Sequence, residues 1–200
     1  MMRISIIIPT LNEERALPTT LQNIAECARD CEVIIVDGGS TDRTREMVAS
    51  FQNLPMIWME APRGRGSQMN AAAARASGDV LLFLHADTHL PPGAPEMIRH
   101  ALADPQVLGG NFRIRFAPST PLANFYAWCY NLRSHTHVFY GDSALFVRKE
   151  VFDRMGGYRA ERVMEDFEFV LRLRREGRLA YIRQGTVTSS ARRFSTTGKG

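Results

Sequence analysis

Leu81-Leu82-Phe83-Leu84-His85-Ala86-Asp87-Thr88-His89 is the stretch that decides how this chain folds. Its apolar run is too short to cross a bilayer and reads as a strand buried on both faces. The run delivers one carboxylate, Asp87, just past its C-terminal end, and Pro91-Pro92-Gly93 stops the strand from continuing. In open α/β sheets, ligands settle in the crevice outside the carboxyl ends of the strands. An acid placed there without a sequence-local partner meets a cation or a hydroxyl, which makes Asp87 the anchor of a metal–phosphate site.

Upstream of this strand the pattern alternates. Residues 3–9 form an Ile-rich first strand, and Asn12-Glu13-Glu14 opens a helix with Asn12 as its cap and Leu17, Leu21 and Ile24 as its apolar stripe. Residues 32–36 form a second strand that ends at Asp37-Gly38-Gly39-Ser40, where glycine permits a tight turn and Ser40 or Thr41 caps the next helix. A third strand is expected over 56–59. Gly64-Arg65-Gly66 then leads into a helix through Met69, Ala72, Ala73 and Ala76, closed by Gly78. Strands alternating with helices over short links predict an α/β fold with a doubly wound, mainly parallel sheet.

Beyond Pro92 the rhythm changes. A short helix is expected over 96–103, a strand over 109–116, a strand over 143–147 and a helix over 165–176 ending at Gly177. Residues 181–183 and 186–190 read as two short closing strands, and 195–200 as a frayed tail. The helix over 121–132 is rich in aromatics (Phe125, Tyr126, Trp128, Tyr130); it packs into the core, lines a second substrate's site or meets a membrane surface. With no repeat and no low-complexity linker, the expectation is one domain over 1–200, with a first half over about 1–90 and a second over 91–194.

Composition narrows the class. At 44% hydrophobic and 23% charged residues, the chain resembles ordinary soluble globular proteins. Three cysteines without framework spacing argue against a disulfide scaffold and for a reducing compartment. The first apolar run is short and meets Pro9, unlike a signal peptide, so a cytoplasmic location is expected, with peripheral contact at the inner face of the membrane as an addition. The net charge of +4 is uneven: from Arg148 onward thirteen Lys/Arg face seven Asp/Glu. Such a basic quarter suits anionic lipid or a phosphorylated ligand; nucleic acid is not expected as a partner. Arg172, Arg174, Arg175 and Arg178 read equally as a solvated helix face.

Glu13, Asp37 and Asp87 each follow a strand, so in a parallel sheet all three open onto one crevice. Taken singly, Glu13 reads as a first-turn helix acid and Asp37 as a turn residue bonding its own backbone. Taken together, carboxylates and glycine-rich turns suit a nucleotide. Mg²⁺ or Mn²⁺ takes one or two protein carboxylates and fills its shell with phosphate oxygens and water, so Asp87 suffices if a diphosphate accompanies the ligand. Arg63 and Arg65 are placed to neutralise it. Glu165-Asp166 opens a helix, an ordinary dipole partner, and beside a sugar–phosphate site Asp166 becomes the candidate general base.

These residues carry a resemblance. Ile7-Ile8-Pro9-Thr10-Leu11-Asn12-Glu13, Val36-Asp37-Gly38-Gly39-Ser40-Thr41-Asp42 and Gly78 through Asp87 resemble, in order and spacing, the nucleotide-sugar half of family 2 glycosyltransferases. Glu165-Asp166 falls where that family places its base. Arg63-Gly64-Arg65-Gly66, Tyr140-Gly141-Asp142 and Ser190-Ala191-Arg192-Arg193-Phe194 resemble a bacterial subgroup of small members.

The resemblance implies a GT-A type fold, a three-layer α/β/α sandwich on a mainly parallel mixed sheet. It implies a divalent cation, Mg²⁺ or Mn²⁺, and inverting transfer of a sugar from a nucleotide-diphosphate sugar to a hydroxyl acceptor, with a lipid-linked acceptor among the options. By it Pro9, Thr10, Glu13 and Asp37 surround base and ribose, Asp87 is the second acid of the Asp-x-Asp motif and holds the metal, and Asp166 is the base. Asp142 and Glu165 fall on the acceptor side. His85 stands where the first acid is usual. The Gln-x-x-Arg-Trp motif is absent, with Arg192 and Arg193 in its place as a diphosphate clamp. Two other readings stand beside it: a nucleotidyltransferase, whose usual Gly-rich loop with Lys is missing here, and a non-catalytic sugar-nucleotide-binding protein, which the His85 departure keeps open.

Overall fold

All seven residues of Ile4–Thr10 are buried, because this strand, β1, lies inside a sheet that is covered on both faces. The computed structural model describes residues 1–159 and 164–194. Strands β2 (Glu32–Asp37), β3 (Ile57–Glu60) and β4 (Val80–Phe83) alternate with helices α1 (Leu17–Cys27), α2 (Thr44–Ser50) and α3 (Arg65–Arg75). Then follow β5 (Thr88–His89), α4 (Ala94–Ala101), β6 (Val107–Ala117), α5 (Pro121–Ser134), β7 (Leu145–Arg148), α6 (Lys149–Arg154), α7 (Glu165–Glu176) and β8 (Arg178–Ser190).

The strands join in one sheet in the order β3-β2-β1-β4-β7-β6-β8-β5. β1 pairs in parallel with β2 and β4, and β2 with β3. β7 enters antiparallel between β4 and β6; β8 runs parallel to β6 and carries β5 antiparallel on its outer edge. The first half is therefore parallel, as expected, and the sheet as a whole is mixed.

Side-chain alternation along the strands builds two cores. Ile4, Ile6 and Ile8 of β1, Val33 and Ile35 of β2, and Val80 and Leu82 of β4 pack with α1, α4 and α5 on one face. Ile7, Ile34, Val36, Leu81 and Phe83 pack with α3, α6 and α7 on the other. Each large side chain so buried contributes about 1.5–3 kcal/mol, and the continuous apolar runs are what a sheet with no wet face requires. The result is a three-layer α/β/α sandwich. Because the strand order reverses between β1 and β4, a crevice opens beyond their C-terminal ends.

Several local expectations are corrected. The first helix begins at Leu17, not at Asn12. Asn12 takes a left-handed backbone (φ 57°), which Asn tolerates, and its side-chain oxygen accepts the Thr41 amide at 2.8 Å. It ties the loop after β1 to the loop after β2 instead of capping a helix. Neither Ser40 nor Thr41 caps α2; Asp42 accepts the Thr44 amide at 3.0 Å. α3 ends at Arg75, and the chain is already extended at Ala76. β5 and α6 were not expected. The two closing strands are one, β8, with its register against β6 shifting between Phe112 and Arg113. The tail over 195–200 lies outside the described residues.

Candidate active site

The sheet brings the three strand-end acids to one edge. Asp37 is the last residue of β2, and Glu13 and Asp87 follow β1 and β4. A cleft of about 330 Å³ opens there, lined by Pro9, Glu13, Arg65, His85, Ala86, Asp87, Asp142, Ser189, Ser190 and Arg192. A neighbouring cleft of about 410 Å³ shares Asp87, Ser189, Ser190 and Arg192 and extends past Arg15, Thr19 and His89. The β5–β8 pairing sets this wall, with Thr88 Oγ1 donating to Ser189 Oγ at 3.0 Å.

Arg192 sits in a short 3₁₀ turn after β8. Its Nη2 donates to Asp87 Oδ2 at 2.8 Å and to Glu13 Oε2 at 3.2 Å. Burial pushes the Glu13 carboxyl up; the charge and hydrogen bond of Arg192 oppose this, the charge of Asp87 adds to it, and the net shift is upward. Two carboxylates from different loops thus share one cation, across 179 residues of sequence for the Glu13 contact.

His85 faces the second half of the chain. Its Nδ1 lies 3.0 Å from Asp142 Oδ1 in a largely buried contact. Burial pulls the imidazole down, but the Asp142 hydrogen bond and charge outweigh it and hold the group above its ordinary value. Asp142 belongs to a 3₁₀ turn, Gly141–Ser143, whose first amide donates to Asp166 Oδ2 at 2.6 Å. Asp166 Oδ1 accepts its own helix's Phe167 amide at 2.8 Å. Met164, at φ 64°, turns the chain so that α7 begins with Glu165 and Asp166, both buried. Glu165 Oε1 pairs with Arg65 Nε at 2.7 Å; the contact is charge pairing without hydrogen-bond alignment, since that oxygen has no hydrogen-bond partner.

Other expected residues lie elsewhere. Thr10 and Asp37 sit under the cleft, not on its wall: both are buried, and Thr10 Oγ1 donates to Asp37 Oδ1 at 3.1 Å. Asp37 also accepts from the Gly39 and Ser40 amides and the Ser40 hydroxyl, which shapes the turn after β2. Arg63 is exposed before α3 and does not line the cleft. The Arg193 side chain lies outside the described residues. Gln68 escaped sequence reasoning: buried on α3, its Nε2 donates to Thr10 O at 2.9 Å and Val36 O at 2.8 Å, stitching the ends of β1 and β2. A polar residue among Met69, Ala72 and Ala73 was its only signal.

No group of three or more His, Cys, Asp or Glu side chains that could hold a metal ion occurs among the described residues. A hard divalent ion that arrives with a diphosphate needs only one or two carboxylates. Asp87 already faces a cationic group, Arg192, and is a carboxylate on a cleft wall. The donor chemistry fits such an ion with Asp87 as its protein ligand.

Comparison with known proteins bears on the fold and the family. An alignment over 116 residues, which covers 53% of this chain, is 31% identical to the undecaprenyl-phosphate 4-deoxy-4-formamido-L-arabinose transferase of Pectobacterium carotovorum and covers 36% of that protein. The chain thus spans little more than a third of that relative's length. Among solved structures, TarS of S. aureus superposes with a TM-score of 0.79 at 18% identity, covering 96% of this chain and 37% of that one. The mannosyltransferase PcManGT from Pyrobaculum calidifontis, solved with GDP-Man and Mn²⁺, gives a TM-score of 0.75 at 23% identity over 98% of this chain and 58% of that one. These two likenesses establish the fold, which is of the GT-A type. The profile described as Glycosyl transferase family 2 matches residues 5–164, and the chain belongs to that family.

Proposed function

We propose that the protein transfers a sugar from a nucleotide-diphosphate sugar to the hydroxyl of an acceptor, with inversion at the anomeric carbon. One observation carries the reading: Glu13, Asp87 and Arg192 converge at the β1/β4 crevice while Asp166 stands across the Gly141 turn, the other side of His85. Nucleotide-sugar use is supported by PcManGT, whose structure holds GDP-Man and Mn²⁺. The Pectobacterium relative, whose name specifies undecaprenyl phosphate, supports the lipid link of an acceptor but not its hydroxyl, since undecaprenyl phosphate would attack through a phosphate oxygen; the transfer proposed for this chain is to a hydroxyl.

Pro9 and Glu13 are assigned to the nucleoside, above a turn that Thr10 and Asp37 hold in shape. Arg192 and Arg65 are assigned to the diphosphate. Asp87 would hold Mg²⁺ or Mn²⁺, and a bound divalent ion supplies Lewis-acid stabilisation of charge on the leaving diphosphate, an effect of several kcal/mol. The acceptor oxygen attacks the anomeric carbon from the side opposite the diphosphate. As that C–O bond forms, the C–O bond to phosphate breaks and its electron pair leaves on the nucleoside diphosphate. The acceptor's proton passes to Asp166. A carboxylate is too weak a base to strip a hydroxyl beforehand, so the proton moves during attack, a contribution of about 10²–10⁴-fold. The Gly141 and Phe167 amides fix both Asp166 oxygens, which orients the base.

Two variants divide the labour. Asp166→Asn is expected to lower kcat by about 10²–10⁴-fold with donor affinity unchanged, and Asp87→Ala to weaken cation-dependent donor binding. Transfer and donor hydrolysis with added Mn²⁺, followed by product identification, read both. Near-normal transfer by Asp166→Asn removes the base assignment, and absence of any turnover by the native chain favours a sugar-nucleotide-binding protein.

A further inference from the structure

Helix α5 turns its small residues inward and its large apolar residues outward. Ala123, Ala127 and Ser134 are buried, whereas Phe125 is 57%, Trp128 61% and Leu132 55% exposed, with Leu122 and Tyr126 beside them. At about 100° per residue these five fall on one face of the helix. Their rings form a continuous surface: Phe125 stacks on Trp128 at 6.2 Å and meets Tyr126 edge-on at 6.0 Å. A single exposed apolar residue is ordinary, but a contiguous aromatic face marks an interaction surface.

Cations flank it. Arg113 and Arg183 line one depression together with Trp128, Leu132 and Tyr181, and among the described residues no carboxylate pairs with either arginine. Exposed Trp, Tyr and Phe bordered by Arg match the boundary between acyl chains and anionic headgroups. We propose that the outward face of α5, with Arg113 and Arg183, docks on the surface of an anionic lipid bilayer. A second copy is the poorer occupant, because residues 113–138 and 178–190, which carry this face and its rim, contain no Asp or Glu and so offer Arg113 and Arg183 no counter-charge. No helix among the described residues is long and apolar enough to cross a membrane, so the contact proposed is with the surface. The face is continuous with the cleft: Tyr126 stacks on Phe194 at 4.5 Å and 9°, and Phe194 belongs to the same turn as Arg192. Docking in this way sets the mouth of the cleft beside the bilayer. The surface does not depend on the transfer reading, since its test needs no donor.

The test is sedimentation of the full chain with vesicles of phosphatidylcholine plus phosphatidylglycerol, against vesicles of phosphatidylcholine alone. In a Trp58→Phe background Trp128 is the remaining tryptophan of two, and its emission is expected to shift to the blue on binding. Trp128→Ser and Phe125→Ser are each expected to weaken binding about tenfold, and Arg113→Gln and Arg183→Gln about fivefold each. Binding to the neutral vesicles is expected to be weaker still. The proposal is overturned if the native chain stays in the supernatant with anionic vesicles, if neutral vesicles bind it as well, or if these variants bind like the native chain. It is also overturned if Trp128→Ser dissolves a dimer that sedimentation equilibrium detects while vesicles capture nothing. Should a serine variant fail to fold, the two arginine variants, altered only at the rim, carry the comparison.

Discussion

A side chain at position 141 would place its first carbon 2.9 Å from Asp166 Oδ2 and 3.3 Å from His85 Nε2. Glycine is required there by close approach, since its φ is not among the positive ones. Gly141→Ala must shift the Asp166 carboxylate or the turn that carries position 141, and with Asp166 as the proposed base a misplacement of about 1 Å costs about 10²-fold. The expected outcome is a fall in kcat of that order with donor Kd unchanged, measured by single-turnover transfer and by calorimetry; a fall confined to donor affinity would count against Asp166 as the proposed base. Glu13 and Asp87 were legible on the cleft wall because each follows an apolar run at a predictable edge and needed only the parallel arrangement, whereas Asp37, read in the same way, lies beneath it. Their partners were not. His85 with Asp142, Arg65 with Glu165 and Glu13 with Arg192 join loops far apart in the chain, and no local pattern specifies such pairings. Asp37 satisfied both of its readings of position, at a strand end and in a turn, and the turn claims its carboxylate oxygens.

At the scale of elements, one polar side chain ties α5 to the sheet beside its apolar contacts. Asn131 Oδ1 accepts the Ile114 amide and its Nδ2 donates to the Ile114 carbonyl, both at 2.9 Å, and the Tyr181 hydroxyl adds a third bond at 3.2 Å. Removing one partner leaves the others unsatisfied at about 1–3 kcal/mol. Asn131→Ala is therefore expected to lower Tm by about 2–10 °C, and hydrogen exchange should quicken in α5 and β6 ahead of β1. Uniform loss of protection would contradict this. The same anchorage explains why three of the helix's four rings lie outside the core: Ala123, Ala127 and Asn131 face the sheet, Tyr130 packs edge-on against Phe116 of β6, and Phe125, Tyr126 and Trp128 are left facing out. Apolar runs buried on two faces made β1, β2 and β4 readable, whereas β5 has two residues and exists by pairing with Thr188 and Ser189. β8 looked broken at Gln184-Gly185 because the alternation lapses there, yet its pairing with β6 resumes at Thr186.

Across the whole molecule, the two cores meet at a sheet in which the ends of β1 and β4 open the crevice, and the later elements supply its far wall through Asp142, Ser189, Ser190 and Arg192. Anything that binds there bridges both halves, so donor binding is expected to stabilise the fold as a unit. A ligand at a hundred times its Kd adds about 2.7 kcal/mol, and each kcal/mol raises Tm by about 2–4 °C for a chain of this size. Thermal unfolding with UDP-, GDP- and dTDP-sugars, each with and without Mn²⁺, is expected to show a rise of about 5–10 °C for the true donor with the cation present. Asp87→Ala should erase the part of that rise that depends on Mn²⁺ and keep the part the nucleoside contributes through Pro9 and Glu13. A rise equal in size without the cation, or one that survives intact in Asp87→Ala, would separate Asp87 from the metal and return the diphosphate to Arg192 and Arg65.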